Sequence, residues 1–165
     1  MMTTRIIIAG SRRATYAQVR AAAASCPWFM VFVNANHAHT AVEIVSGKAP
    51  GADTHGEAIA RRLGWKVVPF PANWRPNGKL EKTAGNRRNL QMARYAAECD
   101  GKLIACWDGR VQGTANMIAE AYAHGLQVHV YDSRVGGVVD MAGAAAYVKR
   151  YGVPEPGCMR WTRWY

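Results

Sequence analysis

A chain of 165 residues is enough for one domain with a sizeable core and too short for two ordinary ones. Half of it is hydrophobic, which excludes a disordered chain, and 21 Lys and Arg against 11 Asp and Glu leave a formal net charge of +10. That excess favours an anionic partner, a phosphorylated metabolite or a nucleic acid, without choosing between them.

The chain enters its first element almost at once. Arg5 to Ala9 is a short apolar run closed by Gly10-Ser11-Arg12, the pattern of a buried strand entering a turn. An alanine-rich stretch from about Tyr16 to Ser25 favours helix and is stopped by Pro27. Trp28 to Val33 is β-branched and aromatic enough for a strand, and Asn34 to Thr40 has the polarity of a loop; the role of the whole segment stays open. Ala41 to Val45 reads as a second strand, followed by the loop Ser46 to Asp53 and a helix from about Asp53 to Leu63, capped by Asp53 or Thr54. Lys66 to Pro69 reads as a third strand, and Phe70 to Ala84 as a proline- and glycine-rich loop carrying Trp74. A helix over 85–97, a strand over Lys102 to Trp107, a helix from Thr114 to His124 and a strand from Gln127 to Tyr131 complete the alternation. From about Ser133 the chain appends a helix over Asp140 to Tyr151 and a basic, aromatic tail to the same domain.

Short apolar strands alternating with helices predict a three-layer, Rossmann-like α/β fold with a mainly parallel sheet of about five or more strands. Ligands of such sheets bind beyond the carboxyl ends of the strands. Three of the loops leaving those ends are glycine-rich. Gly10 lets backbone amides approach a ligand, Ser11 follows it, and Arg12 can pair with phosphate or simply meet solvent. In Ser46 to Asp53, Gly47 and Gly51 allow a tight turn past Ala49 and Ala52 onto a helix start, where free amides attract anions; a plain capped connection reads equally well. The segment is neither a P-loop nor a GxGxxG dinucleotide turn. Arg88 and Asn89 open the next helix and suit phosphate and sugar hydroxyls, although surface charge explains them too. Trp107 can stack on a base or fill the core, Asp108 can accept ribose hydroxyls, and Gly109 and Gly113-Thr114 again couple glycine to a helix start.

Taken together, these segments resemble the SLOG superfamily, which includes the LONELY GUY phosphoribohydrolases and the DNA-processing protein A family. The pattern is that of a branch frequent in bacteria and their phages: Gly10 to Arg12, Ser46 to Asp53, Phe70 to Trp74, Ala84 to Met92 and Trp107 to Thr114, in that order. The resemblance covers most of residues 5–131 and implies a Rossmann-like sheet that binds a nucleotide or nucleotide derivative. It places Arg88 at the arginine of the LONELY GUY Arg-Lys-x-x-Met segment and Gly113-Thr114 at the phosphate-binding Gly-Thr. It also implies pairing into homo-oligomers through helices beside the pocket. In the phosphoribohydrolases an acidic residue closely follows that Gly-Thr; here Ala115, Asn116, Met117 and Ile118 follow. Glycosidic cleavage passes through an oxocarbenium-like state that a carboxylate stabilises, so Asp53, Glu57 or Asp108, with Arg88, would have to serve instead.

The leading expectation is therefore a binder of a nucleotide-derived signalling molecule, for sensing or sequestration, with phage counter-defence as a setting that fits. A nucleotide hydrolase acting at an N-glycosidic or phosphate bond is the alternative. A nucleic-acid binder is the second alternative, on the strength of the charge and of the tail over 159–165, in which arginines alternate with aromatics. That tail reads equally as an arm packing on the domain or a second subunit. No cofactor and no metal site are expected: His37 and His39 have no third ligand nearby, and His55, His124 and His129 are scattered. Cys26, Cys99, Cys106 and Cys158 form no CxxC pair and read as thiols of a reducing compartment. No signal peptide, membrane span or lipidation signal is read, so a cytoplasmic protein without membrane contact is expected.

Overall fold

The computed structural model describes residues 2–35 and 40–139. Nine-residue β1 (Met2–Gly10) lies at the centre of a six-stranded sheet. β2 (Thr40–Ser46) and β3 (Lys66–Pro69) lie on one side of it. β4 (Asp100–Trp107), β5 (Gln127–Asp132) and β6 (Gly137–Val138) lie on the other, giving the order β3-β2-β1-β4-β5-β6. The first five strands pair parallel and only β6 runs antiparallel. This is the three-layer Rossmann-like architecture that the alternation of elements predicts.

The period-two pleat of β1 shows why helices must cover both faces. Ile6 and Ile8 face one layer, built on α1 (Tyr16–Ala24), α2 (Pro27–Asn34) and α3 (Ala52–Arg62). Ile7 and Ala9 face the other, built on α4 (Ala84–Ala97) and α5 (Gln112–Ala123). The parallel register sets Ile7 opposite Val45 on β2 and Leu103 on β4, so the α4/α5 layer meets an unbroken aliphatic strip, whereas on the other face Ile6 stands between Ile44 and Lys102. The chain moves outward from β1 through β2 to β3 and then crosses back through α4 to β4. The carboxyl ends of β1 and β4 therefore lie side by side while their connections depart in opposite directions, which opens a crevice between them.

The segment Trp28 to Val33 is helical, not a strand. Pro27 occupies the first turn of α2, where its missing N–H costs nothing, and Phe29 is the one fully buried side chain of that helix, set edge-on to Trp65 at 5.4 Å. The cap of α3 also departs from expectation: Gly51, at φ +78°, holds the cap position, and Asp53 lies inside the first turn. The helix expected over Asp140 to Tyr151, the tail over 159–165, Cys158 and the His37/His39 pair lie outside the described residues. Among the described residues no helix is long and apolar enough to cross a membrane.

The helical form of α2 has a direct test. Phe29 and Val31 would share a face of a strand, yet Phe29 is 2% exposed and Val31 is 65% exposed. Phe29→Ala is expected to destabilise the fold by about 3–5 kcal/mol and Val31→Ala by less than about 0.5 kcal/mol. Urea unfolding of the two variants measures the difference; equal losses would return the segment to a strand.

Candidate functional site

Glycine-containing loops at the ends of β1, β2 and β4 meet above the crevice. The β1 turn is bound to the neighbouring strand by Ser11 N–H donating to the Cys106 carbonyl at 3.0 Å, and Ala52 N–H donates back to the Ser11 carbonyl at 3.2 Å. The result is a cleft of about 470 Å³, within the range of roughly 300–1,000 Å³ usual for small-molecule sites. Ala9, Met92 and Met117 supply apolar walls. Polar groups come from the starts of three helices: Asp53 from α3, Asn86 and Arg88 from α4, and Gln112 and Thr114 from α5.

These three helices share a property that α1 lacks. Thr15 and Gln18 form a complete capping box on α1, whereas α3, α4 and α5 begin without a side-chain hydrogen bond at the cap. Their first turns carry the positive end of each helix dipole toward the cleft without a side-chain cap, although the Ala52 and Ala84 N–H groups donate to the Ser11 and Glu81 carbonyls. At α5 the Asp108 carboxylate accepts from Arg110 N–H at 2.9 Å and Val111 N–H at 3.1 Å, which fixes the loop before the helix but leaves its first turn open. Thr114, in that turn, lines the cleft at 3% exposure, and its Oγ1 is buried with no hydrogen-bond partner among the described residues. An orphan hydroxyl of this kind costs about 1–3 kcal/mol unless something satisfies it.

Arg88 organises the opposite wall. Its Nη1 donates to the Gly47 carbonyl, its Nε donates to Asn89 Oδ1 at 3.0 Å, and Nη1 lies 3.9 Å from Asp53 Oδ2. Nη2 has no partner among the described residues. A side chain on Gly47 would collide with this guanidinium, which is why glycine stands there. Asn89 in turn donates to the Gly113 carbonyl at 3.0 Å and to Asn116 Oδ1 at 2.9 Å, so a continuous chain of bonds links the β2 loop to α5.

Burial dominates the electrostatics. It pushes the Asp53 carboxyl up to about 6, against the pull of Arg88 and of the Ala49 and Gly47 N–H groups. Burial likewise lowers the Arg88 pKa, with Asp53 opposing. Both shifts say that a contact at 3.9 Å does not repay the loss of water.

Of the expected site residues, Gly10, Arg12, Ala49, Asp53, Trp74, Arg88, Asn89, Gly113 and Thr114 line this cleft. Trp74 is 40% exposed, with the Arg12 guanidinium 5.8 Å from its ring centre. Trp107 packs in the core and donates Nε1–H to the Val111 carbonyl at 3.0 Å. Ser11 donates to Asp108 at 3.3 Å. Ser46 and Glu57 hold the β2 loop together: Ser46 Oγ donates to Glu57 at 2.6 Å, and Lys48 and Arg61 both pair with the same carboxylate. Of the carboxylates Asp53, Glu57 and Asp108, Asp53 is the one that lines the cleft. Sequence reasoning passed over Asn116, Lys82 and Gln112, which also line it; only the i, i+4 spacing of Gln112 and Asn116, on one face of the helix, offered a signal. Among the described residues no three His, Cys, Asp or Glu side chains gather as metal ligands.

The raised Asp53 pKa makes a signed prediction. Folding lifts it from 3.8 to about 6, so ionising Asp53 costs stability progressively as pH rises through that window, with the full cost present above it. Asp53→Asn is expected to raise Tm by several degrees at pH 7.5 and to have little effect at pH 4. A destabilised variant at pH 7.5 would mean that the ion pair with Arg88 outweighs burial. No protein-family model matches the chain, and neither the curated proteins nor the solved structures provide a match.

Proposed function

We propose that the cleft binds a phosphate-bearing, nucleotide-derived small molecule, and that the protein senses or sequesters it. The observation that carries this reading is the convergence of the orphan Thr114 hydroxyl with the uncapped start of α5, on a cleft that Arg88 also lines. Phosphate oxygens accept from hydroxyls, helix-start amides and guanidinium groups alike, and one phosphate can satisfy several of them. Trp74, half exposed at the same cleft, offers a face for a base, and Asn86 and Gln112 offer partners for sugar hydroxyls. The resemblance of five ordered motifs to the SLOG superfamily supports the same reading. The buried residue two positions after Thr114 is Asn116, an amide where hydrolysis by the phosphoribohydrolase route would want a carboxylate.

A nucleotide hydrolase is the second reading, favoured by Asp53: a cleft carboxyl titrating near 6 beside a guanidinium is suited to proton transfer at neutral pH. One experiment separates the two. Purified protein is mixed with a panel of nucleotides and nucleotide-derived signals, and both the solution and the heat-released fraction are analysed by mass spectrometry. A ligand depleted and returned intact supports binding. Conversion to a free base, a ribose phosphate or a shortened nucleotide makes the protein an enzyme, and Asp53→Asn should then stop turnover while keeping binding.

Two variants tie the reading to the cleft. Thr114→Val removes the orphan hydroxyl without changing shape, so Tm should hold or rise while ligand affinity falls about tenfold, the loss of one charge-assisted hydrogen bond. Arg88→Ala should abolish binding and also loosen the β2 loop. Undiminished affinity in Thr114→Val, measured by calorimetry, would remove the phosphate from the start of α5.

A further inference from the structure

A second cleft of about 320 Å³ opens beside the first, and Arg12, Ala49, Trp74 and Arg88 line both. It is bounded by the β2 loop, including Lys48 and Pro50, and by Pro71 and Ala72 after β3. The geometry points to a second phosphate subsite here, so that the ligand is a nucleoside derivative holding two separate phosphate groups, one at the start of α5 and one between Arg12 and Lys48. This rests on the proposed function and specifies its ligand.

Charge supports the assignment. Among the described residues, the two clefts together are lined by Arg12, Lys48, Lys82 and Arg88 against the single carboxyl of Asp53, and no carboxylate lines the second cleft. A phosphate monoester brings about −1.5 to −2 at neutral pH, so one leaves about a third to a half of this excess unbalanced and two match or slightly exceed it. Lys48 can be recruited without orphaning its partner. Glu57 already accepts from Ser46 at 2.6 Å and from Arg61 at 2.8 Å, besides Lys48 at 2.9 Å, so one cation of the trio is in surplus. Lys48 also holds a left-handed backbone, φ +59°, fixed by its N–H donating to Ser46 Oγ at 3.1 Å. A non-glycine residue pays for that conformation, which is consistent with a side chain wanted at this place. Trp74 lines both clefts, so a base stacked on it borders the two of them.

The test compares affinities of the whole chain for adenosine 5′-monophosphate and adenosine 3′,5′-bisphosphate, and for the guanosine pair, by calorimetry at fixed ionic strength. The bisphosphate of at least one base should bind tenfold or more tightly than its monophosphate. Lys48→Ala should cut that ratio below threefold, and Arg12→Ala/Lys48→Ala should erase it. Circular dichroism melts confirm that each variant folds; should Lys48→Ala unfold, Arg12→Ala alone must halve the ratio or more. Equal affinities for the two phosphate classes, or a ratio indifferent to both residues, would overturn the second subsite while leaving the first intact. Failure of every nucleotide to bind would overturn the proposed function itself.

Discussion

The site depends on where one buried guanidinium is anchored. Arg88 reaches from the second turn of α4 to a backbone carbonyl 41 residues earlier, at Gly47, and through Asn89 it is tied to Gly113 and Asn116 on α5. Three loops that the sheet merely brings close are thereby fixed to one another. A lysine could not substitute: the fork of donors holds the loop with one nitrogen and still leaves another for a ligand. The cost is visible in the pKa directions of Arg88 and Asp53, both set by burial. The fold tolerates that cost because the surrounding strands, with Ile7, Val45 and Leu103 fully buried, supply the stability that the cleft spends.

Much of this was legible in the residues. The strands could be read because each is a short, largely apolar run set off by polar or glycine-containing turns, and the parallel sheet followed from helices of crossover length between them. The segment after Pro27 misled because aromatic and β-branched residues fit a pleated surface; tertiary packing of Phe29 on Trp65, together with the proline at the helix start, decided for helix. β6 left no trace because a two-residue strand has no period to detect. In the site, glycines and arginines marked the right loops, but motif spacing does not say which side chains face inward. Trp74 and Trp107 looked alike as aromatic candidates; only the fold sends Trp107 to the Val111 carbonyl and leaves Trp74 at the cleft. The orphan state of Thr114 depends on what its neighbours fail to offer, which no local pattern records.

The capping contrast links these levels. A helix that begins on an ordinary surface, such as α1, satisfies its first turn with its own sequence. The three that begin at the crevice forgo a side-chain cap, as α2 also does away from it, at a cost of about 1 kcal/mol each. At the start of α5 the forgone cap coincides with the buried, unsatisfied hydroxyl of Thr114, a local weakness in a chain otherwise consistent with its fold.

The sheet's two margins carry a consequence for assembly. One margin is β3, four residues long, with exposed Lys66 at its start and Pro69 at its end; the other is the two-residue β6, turned antiparallel. Neither presents a row of free amides long enough to recruit another chain, and lysine and proline oppose such pairing directly. Growth of the sheet across two molecules is thus disfavoured at both of its margins among the described residues.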